Sequence, residues 1–203
     1  EHYTAASRML GVETNPFASA QDRWLESAAH AMGAGSTYAA TPQGISFADC
    51  LRCGACITGC PHGAKNSVDR TYLAQAEELG ARITPRSKVE RIERLPGGGW
   101  RLDVVDPLRR GARTGSLTAR EVVLAAGVLG TTELLLASRD RWRTLPWASS
   151  TLGRHVRTNS EAFTAVLQPD DTDDVTDGAT ISSDFHPDAS THVTNNRFPA
   201  SYG

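Results

Sequence analysis

All four cysteines of this 203-residue chain lie in one short run, at Cys50, Cys53, Cys56 and Cys60. Two, two and three residues separate them, and Pro61 follows the last one. This spacing matches the ligand run of bacterial iron–sulfur proteins. A disulfide framework would instead spread its cysteines along the chain. The run therefore predicts a metal-binding loop, with a 4Fe–4S cluster as first candidate, and a reducing, cytoplasmic location.

Two other interpretations of the cysteine run stay open. In two-cluster ferredoxins the fourth cysteine of such a run serves the other cluster, and this chain has no second run to complete a pair. A structural zinc loop with His62 as a fourth or alternative ligand is one alternative, although such sites usually combine two separated Cys-x2-Cys pairs. Thiols that bind no metal are the other. An electron-transfer or structural metal domain is thus one hypothesis for the function.

The composition narrows the classes of partner. Hydrophobic residues make up 39% and charged residues 22% of the chain, which are ordinary values for a globular protein. The net charge of −2 gives no electrostatic argument for binding nucleic acid or an anionic membrane surface. No apolar run approaches the roughly 20 residues that a membrane-spanning helix requires. Because the chain begins on Glu1 and not on Met, we expect it to be part of a longer protein.

Two helix signals flank the cysteine run. Ser19 followed by Asp22 is the pattern of a capping box, and Gly33 is a stop signal, so a packing helix is expected between them. After the cysteines, Ser67 is the expected N-cap of a second helix. Asp69 would lie in the first turn of that helix, where the helix dipole favours a negative charge.

The next segment predicts a β-meander. A strand is expected at about 81–95, and a glycine-rich turn follows it at 97–99. Alternating residues at Trp100–Val105 indicate the return strand, and a third short strand is expected after the polar loop at 109–113.

Further along, strand and helix signals alternate. Continuous apolar residues at 121–127 are typical of a strand buried on both faces, and a helix is expected from Thr131. Strand-like patterns return at 163–167, 180–181 and 191–193. The order of these signals predicts an α/β architecture.

Several segments together are similar to one enzyme family. They are 64–73, 86–92, 122–135, 145–146, 152–153 and 158–161. The strongest reads Val-Val-Leu-Ala-Ala-Gly-Val-Leu-Gly at 122–130. Taken in order and spacing, they make the chain resemble the glucose–methanol–choline (GMC) flavin oxidoreductases, in the cholesterol-oxidase-like branch, over nearly its whole length. Many bacterial relatives of that branch also carry a cysteine-rich loop before the segment corresponding to Lys65.

The resemblance implies one portion of a two-part enzyme. Residues 67–160 would belong to a Rossmann-like domain that binds FAD and includes the β-meander. Residues 161–203 would begin a substrate-binding domain built on an antiparallel sheet. Residues 1–66 would form a helical and loop segment that carries the cysteines.

The same resemblance assigns five residues to the cofactor. The backbone of Val89 would contact the adenine, and Asn159 would lie against the flavin. Ala126 and Gly127 would form a turn beyond the last parallel strand, where ligands of such sheets bind. Gly130 would begin a helix whose N-terminus favours an anionic group. In the absence of a ligand, a tight strand-to-helix turn would equally explain both glycines.

The implied reaction is oxidation of a small-molecule alcohol, with sterols as one candidate class, by hydride transfer to FAD. The family's glycine-rich phosphate loop and its catalytic histidine and asparagine have no match here, so we assign no catalytic residue. His155, His186 and His192 do not occupy the catalytic position. The segment 191–197 contains no acid, although cholesterol oxidases use a carboxylate from that sheet. The remaining parts of the site would come from the rest of the same chain.

Overall fold

The computed structural model describes residues 1–109, 113–166 and 172–202. Within these ranges the helices are α1 (His2–Met9), α2 (Ala20–Ala31), α3 (Tyr72–Glu78) and α4 (Gly127–Leu136). The strands are β1 (Glu13–Thr14), β2 (Ala39–Ala40), β3 (Pro42–Gln43), β4 (Lys88–Arg94), β5 (Trp100–Val105), β6 (Arg113–Ala119), β7 (Ser183–Phe185) and β8 (Val193–Thr194). Shorter helical turns are Gly35–Thr37, Phe47–Asp49, Ala137–Arg141 and Ala200–Tyr202. No helix in the described ranges is both long and apolar enough to span a membrane.

The chain divides into two compact units. The first consists of Glu1–Ala81 together with Val166–Gly203, and the second of Arg82–Ala165. These units describe packing within the chain and not the binding of a cofactor or a substrate. The domain boundaries expected at 66/67 and 160/161 therefore stay predictions.

In the first unit, α2 begins where its capping box predicts. Ser19 accepts a hydrogen bond from the backbone of Asp22, and the Asp22 carboxylate accepts one from the backbone of Ser19. Two donors that a helix start would leave unpaired are thus satisfied reciprocally. The helix ends at Ala31, two residues before Gly33, which has φ +73°. The predicted helix and its start are confirmed.

A three-stranded antiparallel sheet packs beside α2. Its order is β2–β7–β8, with Ala40 opposite Ser183 and Phe185 opposite Val193. Phe185 is buried with Ala29 of α2, and Val193 packs against the same cluster. The strand signals at 180–181 and 191–193 therefore fall close to β7 and β8, which begin three and two residues later in the sequence.

The carboxylate of Asp22 is the polar centre of this unit. Its side chain is 2% exposed. Besides Ser19, it accepts hydrogen bonds from three side chains of the later segment, and a buried guanidinium lies 3.6 Å away. These partners are Ser182, Ser183, Asn195 and Arg197. Burial alone would raise the pKa of Asp22, but the hydrogen bonds to the charged form outweigh it and hold the pKa far below its usual range.

The second unit contains the predicted β-meander. β4 pairs with β5 and β5 with β6, all antiparallel. Ile92 of β4, Leu134 of α4 and Leu145 form the buried core on one face. The hydroxyl of Thr144 donates to the carbonyl oxygen of Ile92 at 2.6 Å, and the hydroxyl of Ser138 accepts from its N–H at 3.3 Å. Side chains of the segment after α4 therefore supply hydrogen-bond partners for backbone groups on the outer edge of β4.

Several predicted elements differ from the structure. Two differ only in their bounds: the strand expected at 81–95 begins at Lys88, and the helix expected from Thr131 begins at Gly127. The helix expected to start at Ser67 starts at Tyr72, because 67–71 forms turns in which the Thr71 hydroxyl donates to the Ser67 carbonyl. No strand forms at 161–166, and Leu167 lies outside the described residues. The segment 121–126 is not a strand, and the Val123 side chain is 89% exposed. A strand buried on both faces requires hydrogen-bonded neighbours and covering helices, which the described residues do not supply to this segment.

We expect Asp22→Asn to lower the free energy of unfolding of the full-length protein by about 3 kcal/mol, because it leaves the buried Arg197 charge without its partner. The native carboxylate has a depressed pKa. Its contribution is therefore complete above the unfolded-state pKa of about 3.9 and is lost as the pH falls through the folded-state value. Urea unfolding should show a smaller difference between variant and wild type at pH 3 than at pH 7.

Glu26→Gln is the matched control, since Glu26 is an exposed carboxylate on the same helix. It should leave the unfolding free energy unchanged within about 0.5 kcal/mol. Equal stability of Asp22→Asn and wild type at pH 7 would contradict the role given to the buried carboxylate.

Candidate cofactor-binding site

The five residues assigned to the cofactor all fall in the unit Arg82–Ala165. Val89 lies on β4, and Ala126, Gly127 and Gly130 lie at the start of α4. Asn159 lies in an irregular segment after α4.

Val89 lies at an irregularity in the sheet. It pairs with Val104 of β5, and the register then shifts so that Arg91 pairs with Asp103. Glu90 is the extra residue of this β-bulge, where the regular ladder of backbone hydrogen bonds is interrupted. The Val89 side chain packs against the core around Leu134 of α4. Strand β4 and helix α4 thus share one core, which fixes the bulge relative to the helix.

The start of α4 has few side-chain partners. Ala126 is the N-cap and makes no side-chain capping hydrogen bond, and the first turn contains no acidic residue. Gly127 has φ +72°, and a Cβ built there would meet no atom within 4 Å. The first backbone N–H groups of a helix have no partner inside it and carry a partial positive charge. An uncapped start of this kind suits an anionic ligand.

The close packing of the first turn of α4 explains why residue 130 is a glycine. A Cβ at this position would lie 3.2 Å from the Cβ of Ala126. The first turn of α4 is therefore closed too tightly for a larger residue without displacing Ala126. This explains Gly130 by the fit of the turn, whereas Gly127 is explained by its backbone conformation.

Asn159 stands apart from the shared core. Its side chain is exposed, and its amide nitrogen donates to the Glu161 carboxylate at 3.1 Å. The neighbouring Ser160 has φ +57°, a conformation that non-glycine residues rarely adopt. The structure therefore joins β4 and α4 through packing near Leu134 and leaves Asn159 on the surface.

The cysteine run lies in the first unit, against a small core. Cys50, Cys56 and Cys60 pack against a cluster that includes Phe47. Cys53 is exposed, and its backbone forms an isolated β-bridge with that of Gly178. The four cysteines form no disulfide. This core therefore fixes three of the four cysteines, and the loop is further tied to the later segment by an ion pair between Arg52 and Asp177.

Gly54 also lies close against that later segment. A Cβ at Gly54 would lie 2.5 Å from the carbonyl oxygen of Thr176. Only a residue without a side chain fits there, so the path of the loop between Cys53 and Cys56 depends on this glycine.

Two of the sulfurs have opposite electrostatic environments. Burial raises the pKa of the Cys50 thiol, although the backbone N–H of Arg52 donates to its sulfur at 3.4 Å. At Cys60, burial is again the largest single influence and would raise the pKa. Backbone N–H groups from the turn that follows, residues 62–65, together outweigh it and lower the pKa. Of these two sulfurs, Cys60 is therefore the one better prepared to be a thiolate, the form that binds metals.

The sulfurs do not converge on a point that would hold a single ion. Within the described ranges, the one group of three or more His, Cys, Asp or Glu side chains that meets this requirement contains no cysteine. That argues against a mononuclear zinc loop in this conformation. A 4Fe–4S cluster holds its cysteines farther apart, so the assignment of Cys50, Cys53, Cys56 and Cys60 as cluster ligands stays a prediction.

The group that does converge consists of Asp184, His186 and His192. Sequence reasoning set both histidines aside because neither occupies the catalytic position of the resembled family. The available signal was the alternation Asp-x-His at 184–186, which places two candidate ligands on one face of a strand. The contribution of His192 depends on strand pairing, which the sequence pattern alone does not specify.

Comparison with known proteins agrees with the sequence resemblance. Residues 1–139 match the family model described as GMC oxidoreductase. Proteins named cholesterol oxidase from two strains of Mycobacterium tuberculosis, CDC 1551 / Oshkosh and ATCC 25618 / H37Rv, are each 40% identical over 231 aligned positions. A cholesterol oxidase from Acinetobacter baumannii is 31% identical over 229 positions and covers 98% of this chain.

These alignments cover 98 to 100% of this chain but only part of each relative. The chain spans 39% of the length of the two mycobacterial proteins and 41% of the length of the Acinetobacter protein. The family model matches more than half of the chain. The irregular strand and the uncapped helix start both lie within the matched residues. The chain belongs to the GMC oxidoreductase family.

Proposed function

We propose that this chain is part of an FAD-dependent enzyme that oxidises the hydroxyl group of a small-molecule alcohol. The observation that supports the proposal most directly is the uncapped start of α4, with Gly127 at φ +72° and open space where a side chain would be. It lies in the residues that match the GMC family. Members of this family carry FAD, which accepts the hydride from the alcohol when it is bound.

The residues present fit parts of an FAD molecule. The N–H groups at Gly127 and Gly130 would hold an anionic portion of the cofactor, since the first turn of α4 offers donors and no competing carboxylate. The backbone near Val89 would contact the adenine, because the interrupted ladder of β4 leaves polar groups available there. Asn159 would contact the flavin once Glu161 releases its amide. These residues bind and orient the cofactor and do not move protons.

Exposed apolar side chains in the segment before α4 and in the first turn of α4 also support this proposal. Val123, Val128 and Leu129 are 89%, 67% and 86% exposed. In the full-length protein we propose that 121–126 pairs with strands of a Rossmann-like sheet and that helices on the faces of that sheet cover the exposed apolar side chains. The turn at Gly127 would then lie beyond the carboxyl end of a parallel strand, where such sheets bind their ligands.

For the substrate, we propose a sterol or a related bulky alcohol. The supporting observation is the 40% identity to proteins named cholesterol oxidase. The region from β7 to β8 would begin the substrate domain. No Asp or Glu occurs at 191–197, so we propose oxidation of the hydroxyl without a following isomerisation. Four cysteines without disulfides support a reducing, cytoplasmic location.

Anaerobic mixing of the full-length protein with a panel of sterols and small alcohols tests the substrate proposal. A sterol should bleach the oxidised flavin, and the ketone product should keep the position of its ring double bond. Bleaching by small alcohols and by no sterol would refute the sterol assignment. A correctly folded full-length protein without flavin would refute the proposed activity as a whole.

A Gly127→Ala change in the full-length protein tests the role of the α4 turn. The positive φ would cost an alanine about 1–2 kcal/mol, and its methyl group would enter the open space proposed for FAD. We expect FAD affinity, measured by titration of the apoprotein and followed by flavin fluorescence, to fall at least about tenfold.

Gly98→Ala is the matched control for backbone strain. Gly98 also has a positive φ, +92°, with no atom within 4 Å of an added Cβ, but lies in the β4–β5 turn. It should be destabilised to a similar degree while keeping wild-type FAD affinity. Equal FAD affinity in the two variants would contradict the placement of the cofactor at Gly127.

A further inference from the structure

The hairpin formed by β7 and β8 has two chemically different faces. Phe185 pairs with Val193, and both pack into the core beside α2. Because side chains alternate across a strand, Asp184 and His186 lie on the opposite face of β7. His192 precedes Val193 and lies on that face of the partner strand. The apolar pair thus anchors the hairpin and directs one carboxylate and two imidazoles to the same side.

The three polar side chains are already close together. The carboxylate of Asp184 lies 3.1 Å from Nε2 of His192. The rings of His186 and His192 stack with centroids 4.9 Å apart and planes inclined by 15°. One ligand atom from each residue lies within 4.8 Å of the other two. Two ligand atoms at about 2.0–2.2 Å from one tetrahedral zinc ion are about 3.3–3.6 Å apart, so side-chain movements of about 1–1.5 Å bring all three into range.

Backbone contacts hold both sides of this group in place. The hydroxyl of Thr37 accepts a hydrogen bond from the N–H of His186 at 2.9 Å. In the connecting loop, the carboxylate of Asp188 accepts from the N–H groups of Ser190 and Thr191, each at 2.8 Å. Asp188 is therefore occupied in closing the turn, and Asp184 is the carboxylate that faces the two imidazoles.

We propose that Asp184, His186 and His192 form a binding site for a divalent transition-metal ion. Two imidazoles and one carboxylate suit zinc and its neighbours better than calcium or magnesium, which prefer oxygen ligands. The ion would take the place of the present hydrogen bond between Nε2 of His192 and the Asp184 carboxylate. Three protein ligands leave at least one coordination position for water or another small ligand.

This site would be separate from the other functional residues of the chain. It uses no cysteine, and none of its ligands is proposed to contact FAD. The bound ion would join β7 to β8 beyond the last backbone pair of the hairpin. Binding of the ion would therefore be measured as the number of metal ions bound per chain and as an increase in the stability of the first unit.

Zinc titration of the chelator-treated full-length protein tests this proposal, with Zn²⁺ alone as the probe. Wild type should bind one more zinc ion per chain than either His186→Ala or His192→Ala. If the ion is retained in a variant, its affinity should fall at least about tenfold, since even residues that only support a ligand have effects of that size. The control is His155→Ala, which removes an exposed histidine outside the group and should bind as wild type does.

Cobalt substitution separates this ion from any metal held by the cysteines. The Co²⁺ ion lost in the histidine variants should lack the charge-transfer absorption of a thiolate ligand. Equal zinc stoichiometry and affinity in wild type and both histidine variants would overturn the proposal. A thiolate signature on the ion that is lost would also overturn it. Both substitutions replace exposed side chains, and the thermal unfolding transition of each variant verifies that it is folded.

Discussion

The first unit depends on a charge that it buries. The Asp22 carboxylate belongs to a helix near the start of the chain, yet its partners Ser182, Asn195 and Arg197 lie 160 to 175 positions later. A buried carboxylate is costly unless it is hydrogen-bonded and paired. Both conditions are met only when α2 and the β7–β8 hairpin come together. The network therefore specifies one arrangement of two distant segments, and the apolar contacts around Phe185 form in the same arrangement.

That arrangement also determines where the chemically active side chains lie. The later segment that pairs with Asp22 carries Asp177, which holds Arg52 of the cysteine loop. It also carries the hairpin with Asp184, His186 and His192. One buried polar network thus supports both candidate metal sites of the first unit. The proposed FAD contacts belong to the second unit and rest on a different core, which β4 shares with α4.

Sequence reasoning succeeded where the determining interactions are local. The capping box at Ser19 and the meander after Lys88 each depend on residues that are close in the chain. It failed at 121–126, where an apolar run indicates a buried strand but the strand's neighbours are not among the described residues. It also failed at Ser67, where turns that involve Thr71 delay the helix to Tyr72. The ion pair of Asp22 with Arg197 and the position of His192 require knowledge of strand register, which composition and periodicity do not provide.

The central claim is that the β4 bulge and the start of α4 hold FAD. Hydrogen–deuterium exchange on the full-length protein, compared with and without FAD, tests it most directly. We expect FAD to slow exchange of the backbone amides at 88–91 and 127–131, while amides of the β7–β8 hairpin exchange at the same rate in both states. Unchanged exchange at both 88–91 and 127–131 in a protein that has bound FAD would contradict it.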